Sequence, residues 1–179
     1  MIQKAIYFAA MKHDGQYRRG RPVPYIVHPM DVMYILTQNG ASQETIVAGI
    51  LHDTIEDTNT TLEEIRMHFG DEIAAMVSSE TEDKTKTWEE RKQFQIDLLA
   101  TETLEHHEIC CADKLSNLKD LYHDLNDNGD VVWEKFKAPK EKICWYFGEI
   151  IKNLDLVKHT RMYQELCKYY KLVFGIDMN

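Results

Sequence analysis

The stretch GILHDTIEDT, residues 49 to 58, decides the fold because an apolar helix pattern runs there into a group of polar side chains. Apolar residues recur at spacings of three and four before it, which predicts one amphipathic helix over residues 43 to 55. Four acid–base side chains stand at its end: His52, Asp53, Glu56 and Asp57. Carboxylates packed together persist only where they are exposed, protonated or neutralised by a cation. A solvated helix end explains a lone His-Asp pair better than a site does, so the choice depends on partners elsewhere in the chain.

Two such partners stand far away in the sequence. His28 lies in YIVHPMD, residues 25 to 31, where the proline is typical of the first turn of a helix. Asp113 lies in CCADKLSNL, residues 110 to 118, and a carboxylate buried among apolar neighbours needs a partner. One site could therefore combine two imidazoles and two carboxylates: His28, His52, Asp53 and Asp113.

This mixed set of nitrogen and oxygen ligands suits Mn²⁺, Fe²⁺ or Zn²⁺ better than Ca²⁺ or Mg²⁺. A metal held in this way lowers the pKa of a bound water and makes it a nucleophile towards phosphorus. Glu56 and Asp57, a helical turn beyond the His-Asp pair, can orient that water or pass its protons. The sequence therefore predicts a hydrolase that acts on a phosphate ester or anhydride.

The whole chain is expected to be helical. Its 179 residues include only 8 glycines and 4 prolines, and no stretch predicts a strand convincingly. The expected fold class is all-α, a compact bundle of about eight to ten helices without significant sheet. We expect one domain over residues 1 to 179, with the motifs in residues 5 to 125 and C-terminal helices within residues 130 to 174 that complete the bundle.

Capping signals and breakers predict most helix ends. Thr61-x-x-Glu64 and Thr87-x-x-Glu90 have the capping-box pattern, which indicates helix starts near residues 62 and 88. Ser42 is expected to cap the helix that leads into residues 49 to 58. The other expected helices cover residues 2–12, up to 38, 108–125, 140–153 and 161–173.

Composition restricts the partners and the compartment. The net charge of −9 and the pI near 5.3 argue against binding to nucleic acid or to an anionic membrane. The N-terminus lacks the pattern of a signal peptide, and no stretch approaches the roughly 18 apolar residues of a membrane span, so a cytoplasmic protein is expected. The four cysteines lack metal-site spacing and are expected to be reduced. No obligate protein partner is implied.

Three blocks of sequence resemble a known family: GQYRRGRPVPYIVHPMDV, AGILHDTIEDTNTTLEEIRMHFGDEI and ADKLSNLKDL. They resemble the HD-domain metal-dependent phosphohydrolases, and within them the hydrolase domain of the RelA/SpoT family, in particular the stand-alone, Mesh1-like small alarmone hydrolases. The resemblance implies manganese-dependent removal of the 3′-pyrophosphate of ppGpp and pppGpp, which leaves GDP or GTP. It also implies that one Mn²⁺ is held by His28, His52, Asp53 and Asp113. Glu56 and Asp57 match the acidic pair that activates the attacking water.

The resemblance also implies a site for the guanine nucleotide. Arg18 matches a position that packs against the base, and Arg19 matches its neighbouring cation near phosphate. Asn117 matches a contact near the ribose and phosphates, and the motif places Lys114 similarly. Arg18, Arg19 and Arg21 form the densest positive cluster of an acidic chain, although for Arg21 we expect an ordinary solvated position.

Two segments depart from the family pattern. In SSETEDKTKTWEER, residues 78 to 91, the roles of Lys84 and Lys86 stay open. In KEKICWYFGEI, residues 140 to 150, either Trp145 or Tyr146 could replace a tyrosine that shapes the nucleotide pocket in stand-alone relatives.

Other histidines and other functions are alternatives to this interpretation. His106 and His107 are adjacent at a helix junction and are expected on the surface, which favours a mononuclear site. A second metal bound by His68, His106 or His107 stays an alternative. Two alternative functions also remain: hydrolysis of another nucleotide phosphate, such as a nucleoside monophosphate or a 2′- or 3′-phosphorylated nucleotide, and non-catalytic nucleotide sensing.

Overall fold

The structure of the chain, a computed structural model, describes residues 1 to 79, 81 and 85 to 178. In these ranges it forms ten α-helices, two short 3₁₀-helices and no strand, with an isolated bridge between Tyr17 and Pro24. The α-helices are α1 (Ile2–Lys12), α2 (Val27–Gln38), α3 (Gln43–Leu51), α4 (Thr54–Asp57), α5 (Leu62–Phe69), α6 (Asp71–Ser79), α7 (Trp88–Leu99), α8 (Leu104–Asn128), α9 (Lys140–Asn153) and α10 (Arg161–Phe174). The 3₁₀-helices cover Gly129–Lys135 and Asp155–Val157. The predicted all-α class is confirmed.

Side-chain caps fix the helix starts that the sequence predicted. Ser42 Oγ accepts a hydrogen bond from the backbone N–H of Thr45, 3.0 Å away, at the start of α3. Thr87 forms a complete capping box with Glu90 at the start of α7. Each cap satisfies a backbone N–H group that has no partner within its helix, so these starts follow from local chemistry.

The helix predicted over residues 43 to 55 is interrupted, and this expectation was wrong. α3 ends at Leu51, and the single turn α4 begins at Thr54. Thr54 Oγ1 donates to the carbonyl oxygen of Leu51 (2.6 Å), and His52 Nδ1 donates to that of Gly49 (2.8 Å). In a continuous helix these carbonyl oxygens would accept hydrogen bonds from backbone N–H groups. Because side chains donate to them instead, the helix is interrupted here.

α8 is longer than predicted and forms the axis of the bundle. It starts at Leu104 rather than near residue 108, with Thr103 Oγ1 as its N-cap acceptor, and it ends at Asn128 before Gly129. α2, α3 and α10 pack against it, and α10 also contacts α9. Residues 106 to 116 are almost all buried, so polar side chains on this segment lie inside the molecule.

The apolar part of the opening stretch anchors the site to the core. Residues 45 to 51 of α3 are all buried. An added Cβ on Gly49 would lie 2.4 Å from Cδ1 of Leu36 on α2, so the glycine allows the two helices to approach closely without moving this leucine. Within the described ranges, no helix combines the length and the apolar character needed to cross a membrane.

Candidate metal centre and active site

Three buried segments bring the four predicted ligands together. His28 comes from the first turn of α2, His52 and Asp53 from the break between α3 and α4, and Asp113 from the middle of α8. Nε2 of His28 lies 3.1 Å from Oδ1 of Asp113 and 3.5 Å from Oδ2 of Asp53. Nε2 of His52 lies 3.0 Å from Oδ2 of Asp53 and 3.8 Å from Oδ1 of Asp113. Residues that are far apart in the sequence therefore face one small volume.

These separations fit a single divalent ion. Ligand atoms about 2.0–2.2 Å from one ion lie roughly 3–3.5 Å from one another. Three of the four separations fall in this range, and the fourth, between His52 and Asp113, is 3.8 Å. Nε2 of His52 is buried and has no hydrogen-bond partner of acceptable geometry among the described residues, although Oδ2 of Asp53 is nearby. The ligand atoms of His28, His52 and Asp113 lie within 4.8 Å of one another and form a buried His-His-Asp site. Two imidazoles and two carboxylates are a donor set typical of transition metals.

The electrostatics of the group also favour a bound cation. Burial alone would raise the pKa of Asp113, but the Lys114 ammonium and the His28 imidazole hold it well below its usual range. Burial alone would lower the pKa of His52, yet Asp53 and Asp113 raise it well above its ordinary value. Two ionised carboxylates thus stabilise positive charge between them, which a proton or a metal ion can supply.

Neighbouring side chains orient three of the four candidate ligands. Ser116 Oγ lies 3.0 Å from Nδ1 of His28, so that Nε2 is the nitrogen that faces the carboxylates. Asn117 Nδ2 and Lys114 Nζ each donate to one oxygen of Asp113 at 2.5 Å. The hydroxyl of Tyr25 donates to Oδ2 of Asp53, also at 2.5 Å. Such outer partners fix ring and carboxylate orientation in metal sites.

The acidic pair lies on α4, directly beyond Asp53. Glu56 is half-buried and Asp57 is exposed, and both side chains line a cavity of about 520 Å³. Gln16 Nε2 donates to the carbonyl oxygen of Asp57 at 2.7 Å, so this short helix is held from the loop after α1. The pair therefore stands between the group of four ligands and an open cavity.

Cations dominate the charge of this cavity. Its charged lining residues, within the described chain, are Glu56, Asp57, Arg19, Arg91, Lys92, Lys114 and Lys137. Five positive side chains against two negative ones reverse the sign of the chain's net charge of −9. An anionic ligand would be attracted to this position on an otherwise acidic molecule.

The predicted substrate residues lie around this cavity, with one difference. Arg19, Lys114 and Asn117 line it, whereas Arg18 lines an adjoining cavity of about 270 Å³. Nη2 of Arg18 donates to Asn117 Oδ1 (2.8 Å) and forms an ion pair with Asp120 (3.2 Å). Asn117 thus connects Arg18 to the candidate ligand Asp113 along one face of α8.

Arg21 is not the solvated loop residue that the sequence suggested. Its Nη1 lies 2.7 Å from Oδ1 of Asp120, and its side chain is only 25% exposed. Asp120 of α8 faces the basic loop, and its carboxylate pairs with both Arg18 and Arg21.

His106 and His107 are buried, and the expectation of surface positions was wrong. Nδ1 of His106 lies 3.0 Å from Ser79 Oγ, and His107 Nε2 donates to the carbonyl oxygen of Leu99 at 2.9 Å. The reason is that α8 begins four residues early, which places both histidines inside its first turns. Neither they nor His68 join a second metal-ligating group in the described part of the chain.

The structure adds residues that the sequence did not single out. Trp88, Arg91 and Lys92 come from α7 and line the larger cavity. Tyr146 is buried and lines it as well, whereas Trp145 is 39% exposed, so of these two neighbours Tyr146 is the one in this pocket. The sequence offered only the capping box at Thr87 as a signal for α7. Lys86 is exposed, and Lys84 lies outside the described residues.

An all-α bundle with a buried His-His-Asp site, an acidic pair and a cation-lined cavity is the architecture of a metal-dependent hydrolase. The family model described as "HD domain" matches residues 5–143, and the chain belongs to this family. The expectation that the chain is an enzyme of this metal-dependent class is confirmed.

Curated relatives narrow the resemblance to one branch. The chain is similar to the guanosine-3′,5′-bis(diphosphate) 3′-pyrophosphohydrolase MESH1 of Xenopus tropicalis, with 44% identity over 124 residues that cover 68% of this chain and 69% of that protein. The MESH1 of Mus musculus is 41% identical over 157 residues, which cover 86% and 84%. A solved structure of a metazoan ortholog of SpoT that hydrolyses ppGpp has a TM-score of 0.83 at 26% identity, over 98% of this chain and 96% of that one.

Proposed function

We propose that this chain hydrolyses the 3′-pyrophosphate of ppGpp and pppGpp in a manganese-dependent reaction and releases pyrophosphate with GDP or GTP. One observation carries the proposal: the metal-ligand group, the acidic pair and the cation-lined cavity adjoin one another. The activity in the names of the MESH1 relatives supports the choice of substrate. A polyphosphorylated nucleotide also matches the positive charge of the cavity.

In this proposal His28, His52, Asp53 and Asp113 hold one Mn²⁺, with Fe²⁺ and Zn²⁺ as alternatives. The metal supplies Lewis-acid activation of the water and of a phosphate oxygen. The buried carboxylates neutralise its charge, and the hydrogen bonds from Tyr25 and Asn117 keep their oxygens in place.

Glu56 and Asp57 transfer the protons of the reaction. One carboxylate accepts a proton from the attacking water as its oxygen forms a bond to the phosphorus attached to O3′. The bond between that phosphorus and O3′ breaks, and its electron pair goes to O3′, which takes up a proton. Because α4 is fixed at both ends, the acidic pair keeps a constant position relative to the ligand group.

The guanine nucleotide occupies both cavities. Arg18 stacks against the base, as an arginine face can, and Arg19, Lys114 and Asn117 contact the phosphates and ribose. Lys114 is buried, and its ammonium group donates a hydrogen bond to Asp113. A phosphate beside Lys114 would therefore interact with the same ammonium group as the proposed metal ligand Asp113. In this proposal substrate and metal are therefore bound by neighbouring residues of α8.

Further parts of the proposal concern partners and location. We propose a cytoplasmic enzyme that acts as a single domain on a small nucleotide, without nucleic acid, membrane or obligate protein partner. The acidic net charge of −9 supports the first two exclusions. The packing of α10 on α8 supports the assignment of the C-terminal helices to the same domain.

The test is a substrate panel with purified protein and Mn²⁺. We expect ppGpp and pppGpp to give GDP or GTP and pyrophosphate in chromatography, whereas a nucleoside monophosphate and a 3′-phosphorylated adenosine nucleotide remain intact. Parallel reactions with Mg²⁺, Zn²⁺ or a chelator test the metal, and a Glu56→Gln protein prepared identically controls for contaminating hydrolases. Survival of ppGpp while another nucleotide is consumed would contradict the proposal. Tight binding of ppGpp without any turnover would favour the sensor.

A further inference from the structure

Tyr25 lies between the candidate metal ligands and the acidic pair, Glu56 and Asp57. Its hydroxyl oxygen lies 2.5 Å from Oδ2 of Asp53 and 3.4 Å from Oδ2 of Asp57. Ionised carboxylates only accept hydrogen bonds, so the hydroxyl donates to Asp53. One group therefore contacts both a candidate metal ligand and a member of the acidic pair.

The ring of Tyr25 is held on several sides. His13 packs against it with ring centroids 4.8 Å apart and planes inclined at 30°. The guanidinium of Arg18 lies 5.6 Å from the ring centroid, and His28 meets the ring at its edge at 6.0 Å. Because neighbours restrict the ring, the place of its hydroxyl is determined before any ligand binds.

The segment that Tyr25 contacts has little support of its own. α4 is a single turn of four residues, and an isolated turn of helix is unstable because nucleation costs more than one hydrogen bond returns. From the loop after α1, Gln16 donates to the backbone of Asp57 and Tyr25 donates to the side chain of Asp53. This loop therefore supports both ends of the acidic turn.

We propose that Tyr25 is a positioning residue, which fixes the carboxylate of Asp53 for the metal and keeps Asp57 at a set distance from it. The inference rests on the proposed function, because it assigns the metal to Asp53 and its three partners. Tyr25 itself donates no proton to the reaction. Its effect passes through the orientation of Asp53.

The test compares Tyr25→Phe with Tyr17→Phe, since Tyr17 lies on the same loop with its side chain 61% exposed. Calorimetric titration of metal-stripped protein with Mn²⁺ measures metal affinity independently of activity. We expect the Kd for Mn²⁺ to rise about tenfold or more in Tyr25→Phe and to stay unchanged in Tyr17→Phe. Because phenylalanine keeps the ring beside Arg18, the KM for ppGpp should stay within about twofold while kcat falls.

Two further readouts separate positioning from general stability. The circular dichroism spectrum and unfolding midpoint of metal-free Tyr25→Phe should match those of the unmodified chain. An unchanged Kd for Mn²⁺ in Tyr25→Phe would overturn the inference, and so would a loss of affinity that only follows a lowered unfolding midpoint. If the unmodified chain itself binds no Mn²⁺, the proposed function fails first, and the two failures are therefore distinguishable.

Discussion

Two regions of the site are built in different ways. The metal floor, defined as the four proposed ligands His28, His52, Asp53 and Asp113, stands on buried helices, and the residue exposures of its two histidines are both 3%. The cationic rim, defined as Arg18, Arg19, Arg91, Lys92 and Lys137, comes from the loop after α1, from α7 and from the segment before α9, and Arg19 and Lys137 are exposed. The floor demands positions within a few tenths of an ångström, which only packed elements supply. The rim needs charge of the right sign, which flexible surface side chains can provide.

The acidic pair joins these two regions. Glu56 and Asp57 follow the floor residue Asp53 in sequence, yet both line the cavity that the rim surrounds. If the comparison is right, substitutions in the floor should abolish metal binding, those in the pair should affect turnover, and those in the rim should affect substrate affinity.

The largest effect is expected in the floor. Asp53→Asn keeps the shape of the side chain but removes one charged ligand, and we expect the Kd for Mn²⁺ to rise at least about 100-fold, with activity lost in parallel. Titration of metal-stripped protein and ppGpp turnover measure the two effects. Asp14→Asn, at an exposed aspartate just after α1, is the matched control. Normal turnover of Asp53→Asn would remove Asp53 from the site.

The next effect is expected in the acidic pair. Glu56→Gln should lower kcat by about 10²–10⁴-fold, because it removes a group that accepts a proton in the transition state. Metal affinity should stay within about threefold, since Glu56 is outside the metal floor. Glu72→Gln, at an exposed position of α6, controls for the change of charge. A matching loss of metal affinity would instead place Glu56 among the ligands.

The sequence predicted local features better than tertiary ones. The caps at Ser42, Thr61 and Thr87 depend on side chains and amides three residues apart, so their patterns are visible in the sequence. The break after Leu51 depends on the carbonyl oxygens to which the side chains of His52 and Thr54 donate. The spacing of apolar residues along the sequence does not predict these hydrogen bonds.

The residues of the candidate site show the same difference between local and tertiary features. The members of the metal floor carry a recognisable pattern, because the residue types needed for a metal are few. Arg91 and Lys92 reach the cavity only because of how α7 packs against α9, and the sequence has no local sign of that packing. The burial of His106 and His107 was missed because Thr103 lacks the glutamate that completes a capping box, so the early start of α8 was not expected.

The smallest effect is expected in the rim, where Arg18 has a matched control in Arg21, an arginine of the same loop that lies outside the rim. Arg18 and Arg21 both pair with Asp120, but only Arg18 also reaches Asn117 and lines a cavity. Arg18→Ala removes the proposed stacking on the base, worth about 0.5–2 kcal/mol, so the KM for ppGpp should rise by up to about 30-fold while kcat stays within a few-fold.

Arg21→Ala removes the same charge from the same loop but no cavity contact, and its KM should therefore rise less than about threefold. Steady-state kinetics at one fixed ionic strength compares the two variants, because added salt screens exposed charges and would narrow the difference. Equal effects would mean that the rim acts by total charge alone. A larger effect for Arg18 would mean that its position in the cavity matters as well as its charge, and the rim would then differ from the metal floor only in degree.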